Sequence, residues 1–192
     1  MAKIYVVRHG ETEGNAKGIL HGITDTPLDD VGRKQVAETG IRLQDIKFNA
    51  VYSSPLSRAY ETGEIILEHN KYGGKIVKDK RLIERNFGVC EGTVFDVNNL
   101  NLASWANAWN ESSERFIEGG DTIADMFNRV GEFLQYLKKK YKKNEKILIT
   151  THCGTERTIY FHFNKKPADG NLRKARSLGN AEVAEYDLNL LP

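Results

Sequence analysis

The sequence predicts an α/β sandwich around a mostly parallel sheet. Short apolar runs rich in β-branched residues alternate with stretches of helical periodicity, the pattern of strand–helix–strand units. Three of the predicted strands end in polar residues that lead into a helix: Arg8-His9, Ser53 to Arg58, and Thr151-His152. In open α/β sheets, ligands bind at such strand ends. The chain of 192 residues is long enough for one domain with a sizeable core, and no repeat, low-complexity tract or linker divides it. One domain over 1–192 is expected.

Taken in order, Lys3–Val7 reads as a buried strand, with Ile4, Val6 and Val7 β-branched. Turn residues Gly22, Asp25 and Pro27 follow, and Asp29 is placed to cap a helix. That helix carries Val31, Val36, Ala37, Gly40, Ile41 and Leu43 and runs to about Gln44. Phe48–Ser53 is a second strand. Ser54-Pro55 reads as an N-cap with proline in the first helical position, opening a helix to about His69. Lys75–Lys78 is a third strand and Leu82–Gly92 a polar loop. Asn98–Trp109 is weakly helical; Trp105 and Trp109 are expected to pack in the core, or else to cover the substrate. Gly119-Gly120-Asp121 caps a long amphipathic helix from Thr122 to about Lys143, whose lysine-rich end suits the negative end of the helix dipole. Lys146–Thr151 is the most strand-like run. A helix from Thr155 to about Phe163 and a last strand, Ala181–Leu188, complete the pattern.

The totals exclude several classes. A net charge of +2 is too small to argue for a nucleic acid or a membrane surface. Cys90 and Cys153 form neither a CxxC pair nor a disulfide framework, so a reducing, cytoplasmic compartment is expected. No apolar run approaches the ~18 residues of a membrane span.

A lone histidine at a strand end is usually structural. Two of them, His9 and His152, in equivalent positions beside glycine and with Arg8 and Arg58 in reach, suit a phosphoryl group. Arginine offers planar bidentate donors for phosphate, and glycine lets backbone amides approach an oxyanion. A metal site built from His9, Glu11, His21, His152 and Cys153 matches no zinc spacing, and the arginines would repel a cation. No metal and no cofactor are expected.

The ordered motifs VVRHGET-x2-N (Val6–Asn15), D-x-PL-x3-G (Asp25–Gly32), SSPLSRA-x2-T (Ser53–Thr62), E-x2-FG-x2-EG (Glu84–Gly92), GGDT (Gly119–Thr122) and TTHCGTER (Thr150–Arg157) span almost the whole chain. The set resembles the histidine phosphatase superfamily, also called phosphoglycerate mutase-like. The resemblance implies a three-layer α/β/α sandwich with a mainly parallel central sheet. It implies catalytic roles for His9 as the phosphorylated nucleophile, Glu84 as general acid, and His152. Arg8, Asn15, Arg58, His152 and Cys153 would bind phosphate, Cys153 standing where the family usually has glycine. His21 and Gly22 would touch the substrate, although Ile19 and His21 replace residues more usual in that loop. A protonated His152 would serve best as donor, and Asn180 in the last motif would help to hold the phosphate loops.

Residues 86–118 correspond to the family's substrate lid. Positions 86–114 contain no Lys or Arg but do contain Glu91, Asp96, Glu111 and Glu114. Phe95 stands where the glycolytic mutases carry a lysine, so a second anionic group on the substrate would lack a partner. The expectation is a metal-independent phosphomonoesterase for a small phosphorylated metabolite, monomeric or homodimeric. The alternatives are a cofactor-dependent phosphoglycerate mutase and a non-catalytic phosphate-binding regulator.

Overall fold

A computed structural model of the chain describes residues 2–94, 118–166 and 171–192. The helical reading of Asn98–Trp109 and most of the expected lid lie outside them. Five strands, β1 (Lys3–Arg8), β2 (Ala50–Ser53), β3 (Ile76–Lys78), β4 (Lys146–Thr151) and β5 (Val183–Asp187), form one sheet in the order β3-β2-β4-β1-β5. All neighbours are parallel except β5, which runs antiparallel to β1. The central strands are covered on both faces, which is why KIYVVR and KILITT read as nearly continuous apolar runs.

Alternation along each strand separates two cores. Ile4, Val6, Tyr52, Ile147 and Ile149 face helices α4 (Ile123–Lys140) and α5 (Cys153–Phe163), meeting Val130, Phe133, Leu134, Leu137 and Ile159. Tyr5, Val7, Val51 and Leu148 face α2 (Asp30–Leu43) and α3 (Ser57–Glu68), meeting Val36, Leu43 and Ile66. Side chains buried this completely contribute about 1.5–3 kcal/mol each. The result is the expected three-layer sandwich. Among the described residues, no helix is long and apolar enough to cross a membrane.

Several boundaries differ from expectation, each for a local reason. A four-residue helix, α1 (Glu13–Ala16), was not anticipated; Thr12 caps it by accepting from the Asn15 amide at 3.2 Å. Asp29 caps α2 as expected, accepting from Gly32 at 2.7 Å, but Val31 and Ile41 are exposed. Helix α3 begins at Ser57, beyond Ser54-Pro55, and has no side-chain cap of its own. Its first amide donates instead to Asp25 Oδ1 at 2.8 Å, 32 residues earlier in the chain. Helix α4 is capped by the Thr122–Asp125 capping box, so Asp121 is released for other contacts. It stops at Lys140 because Tyr141 is extended. Helix α5 starts two residues earlier than predicted, with His152 as its N-cap. Strand β5 excludes Ala181, whose φ of 57° is incompatible with a strand, and Leu188, which enters a 3-10 turn.

Candidate active site

Strand order explains the convergence of the candidate residues. Strand β4 lies between β1 and β2, so the chain ends leaving all three are neighbours. The His9 amide donates to Thr151 O at 2.9 Å and the Ser54 amide to Thr150 O at 3.0 Å. The His9 and His152 rings meet edge to face with centroids 5.2 Å apart.

His9 is buried, and its Nδ1 lies 2.7 Å from Gly10 O. A carbonyl only accepts, so Nδ1 carries the ring proton and Nε2 keeps its lone pair. Burial first, then the Arg58 charge, holds His9 well below the usual imidazole range, and the ring is neutral. Gly10 cannot be larger: a Cβ there would meet Gly32 O at 2.5 Å.

Arg58, on the first turn of α3, is 1% exposed. Its guanidinium donates to Thr24 O at 2.9 Å and Gly22 O at 2.7 Å, with His21 O at 3.5 Å. These carbonyls orient the cation without neutralising it. Their loop is fixed in turn by Glu91, whose carboxylate accepts from the amides of Gly22, Ile23, Thr24 and Phe87 at 2.9–3.1 Å. Burial opposes that charge, but the amides outweigh it and hold the Glu91 carboxyl below its ordinary range. Gly22 is constrained by space, since a Cβ would lie 1.9 Å from Arg85 O. Arg8 donates from Nη1 to Leu178 O at 2.8 Å.

His152 is fully buried, and its Nε2 lies 2.7 Å from Ser54 Oγ. Burial first, then Arg58, His9, Arg129 and Arg8, hold this ring well below the usual range as well. In the free protein His152 is therefore neutral, not the protonated donor the sequence suggested; a bound phosphoryl group brings the opposite charge. Glu84 is buried beside it, with Oε1 accepting from the Arg85 amide and Oε2 from the Gly154 amide, both at 2.9 Å.

Asn15 Oδ1 accepts from Asn180 Nδ2 at 3.1 Å, and the same amide group lies 3.2 Å from His9 O. Asn180 thus ties α1 to the end of β1. Cys153 Sγ lies 3.4 Å from Ser177 Oγ. The His21 ring packs against Gly14, where a Cβ would fall 2.2 Å from Nδ1. Its carbonyl and that of Gly22 meet Arg58, so both residues reach the site through the main chain. Sequence reasoning missed three supporting groups. In the sequence Ser54 has the look of a helix cap and Glu91 of one acidic residue among several, although it sits in the EG motif. Arg129 gave no signal; it donates to Arg81 O at 2.8 Å and Ile83 O at 2.6 Å, bracing the segment that presents Glu84.

Two buried histidines and two arginines thus gather around the ends of three parallel strands of an α/β sandwich. The sequence profile described as "Histidine phosphatase superfamily (branch 1)" matches residues 4–189. The chain belongs to that superfamily, and is an enzyme of its phosphatase and mutase group, whose members act on phosphorylated metabolites. It is 33% identical over 191 residues to phosphoglycerate mutase-like protein 4 of Arabidopsis thaliana, covering 97% of this chain and 80% of that protein. It is 39% identical over 136 residues to fructose-2,6-bisphosphatase TIGAR B of Danio rerio, covering 69% of this chain and about half, 51%, of that protein. Among solved structures, a mutant phosphoserine phosphatase from Entamoeba histolytica in complex with phosphoserine superposes with a TM-score of 0.80 at 27% identity. That match covers 96% of this chain and 90% of the other.

Proposed function

We propose that this chain is a phosphomonoesterase for a small phosphorylated metabolite, working through a phosphohistidine at His9. The observation that carries the reading is the Nδ1–Gly10 O hydrogen bond, which leaves Nε2 of a neutral, buried ring as the free nucleophile. Nε2 attacks phosphorus in line as the bond to the leaving oxygen breaks, and Glu84, acting as general acid, gives a proton to that oxygen. Water then attacks phospho-His9, its proton passes to Glu84, and the P–N bond breaks to return neutral His9. Arg8, Arg58 and His152, with Asn15 at the rim, neutralise charge on the phosphoryl oxygens, so neither step calls for a metal ion.

Hydrolysis is favoured over mutation because positions 86–114 offer no Lys or Arg to a second anionic group of the substrate. The phosphoserine and fructose-2,6-bisphosphate activities in the names of the relatives agree with a phosphatase, whereas phosphoglycerate mutase-like protein 4 keeps the mutase reading as the second choice. The test is a phosphate-release screen with p-nitrophenyl phosphate, phosphoserine and sugar phosphates, beside 3-phosphoglycerate with and without bisphosphoglycerate primer. Acid-labile, base-stable phosphate should appear on the protein during turnover and vanish in His9→Ala. Hydrolysis that survives in His9→Ala refutes the nucleophile, and efficient primer-dependent mutase activity refutes the branch. Phosphate binding with no turnover of any substrate identifies a non-catalytic binder.

A further inference from the structure

We propose that Ser54 is a positioning residue that sets the tautomer of His152: its hydroxyl donates to Nε2, so the neutral ring carries its proton on Nδ1 and presents it to a phosphoryl oxygen. The Ser54 backbone is fixed on both sides, because its amide donates to Thr150 O and its carbonyl accepts from Ser53 Oγ at 2.8 Å. Its Oγ already accepts from the Leu56 amide at 3.4 Å and lies 2.7 Å from Nε2. Among the described residues the hydroxyl proton has no acceptor other than Nε2, and a buried hydroxyl that withheld it from Nε2 would leave it unpaired, so that proton bridges Oγ and Nε2. Nδ1, by contrast, is buried without a hydrogen-bond partner among the described residues. A buried polar atom left without a partner is costly, so Nδ1 is the ring nitrogen poised for a ligand.

The ring faces His9 and Arg8 from β1 and its end, Arg58 from α3, Arg129 from α4, and Glu84 across Gly154. Its positive neighbours keep it neutral in the free protein, so it has one ring proton to place. If that proton sat on Nε2 and pointed at Ser54, Nδ1 would turn a lone pair toward the bound anion. The serine prevents this, and the phosphate pocket gains a donor without having to protonate a histidine among arginines. The inference rests on the phosphatase reading only in taking a phosphoryl group as the ligand.

Two measurements test it, and neither needs turnover, so failure of the enzymatic reading shows up separately in the substrate screen. Long-range nitrogen–proton correlation spectra of histidine-labelled, ligand-free protein, with His152 assigned through His152→Gln, report the tautomer directly. The Nδ1–H form is expected, and a predominant Nε2–H form overturns the proposal without recourse to any Ser54 variant. Calorimetric titration with inorganic phosphate then compares wild type with Ser54→Ala. At about pH 8 the variant should bind about tenfold more weakly, because its ring is free to take the wrong tautomer. The same spectra of Ser54→Ala should show the Nε2–H form gaining population along with the lost affinity. A weaker-binding variant that keeps the Nδ1–H form marks Ser54 as merely structural, and no loss of affinity shows that it does not act on His152; either result overturns the proposal.

Discussion

Gly154→Ala is a small change that strikes the candidate acid without touching the nucleophile. A Cβ at this position would lie 2.5 Å from Glu84 Oε1 and 3.3 Å from both Glu84 Cδ and Met126 Cε. Ordinary contact begins near 3.4 Å, so the carboxyl must retreat by roughly 1 Å, a displacement able to lower a rate by about 10²-fold. The carboxyl also stands to lose its bond to the Gly154 amide, worth about 1 kcal/mol, while alanine returns up to about 1 kcal/mol of helix propensity. Net stability should therefore stay within about 1 kcal/mol, or about 2–4 °C in melting temperature. The assay compares two leaving groups. An alkyl phosphate monoester needs a proton delivered to its departing oxygen, so its kcat/KM should fall about 10²-fold; p-nitrophenyl phosphate leaves as a stable phenolate and should lose about tenfold or less. Equal losses on both substrates would refute Glu84 as the proton donor, and so would no loss on either.

Two other variants separate loop anchoring from pH-linked stability. Glu91→Gln puts an NH2 group among four converging amide donors, so inorganic phosphate affinity should fall about three- to tenfold with the fold retained, as read by calorimetry and a thermal melt. Glu156 is 1% exposed, and burial pushes its carboxyl up to about 7 against the opposing pull of the Tyr186 hydroxyl, the Leu178 backbone, Arg157 and Arg176. Its folded value lies above the unfolded 4.5, so between those values the folded state binds more protons and stability falls as pH rises. At 1.36 kcal/mol per pH unit the full loss is about 3 kcal/mol above pH 7. Glu156→Gln should thus raise the melting temperature by about 5–10 °C at pH 8 and leave it nearly unchanged at pH 4.5. A pH-independent difference between the melts would show that the charge is not the cause.

The parts of the site that were legible in the sequence are those whose chemistry adjoins a strand end. Arg8, His9 and His152 each follow an apolar run, and a parallel sheet brings such ends together whatever the loops do. The misreadings concern partners supplied by the main chain or from far along the sequence. Ser-Pro looks like a helix start because proline suits the first helical position, yet the amide that needed a cap takes it from Asp25. That frees Ser54 for His152. Glu91 binds backbone amides and Arg129 backbone carbonyls, and neither class of partner leaves a side-chain signature. Helix α1 is a single turn, too short to show a period. The neutrality of His152 depends on how deeply it is buried and on three arginines gathered around it, which only the folded arrangement provides.

The way Arg58 is held suits the pocket to an anion. A buried arginine paired with a carboxylate would have its charge satisfied before any ligand arrived. Here Gly22 O and Thr24 O take its protons as dipoles, while Asp25, Glu84 and Glu91 act on it only at a distance. The desolvation cost of that cation, visible as the downward push of burial on Arg58, is carried by the free protein and relieved by an anion. Ligand binding should then stabilise the fold strongly. Phosphate at 100 times its dissociation constant adds about 2.7 kcal/mol, or about 5–10 °C in the melt. Lysine keeps the charge but has one rotating donor head, which cannot serve two loop carbonyls and a phosphoryl oxygen in one plane. Arg58→Lys should lose the phosphate-induced shift at the concentration that saturates the wild type, although its net charge is unchanged. If the shift persists at that concentration, the charge of Arg58 matters and its carbonyl-fixed plane does not.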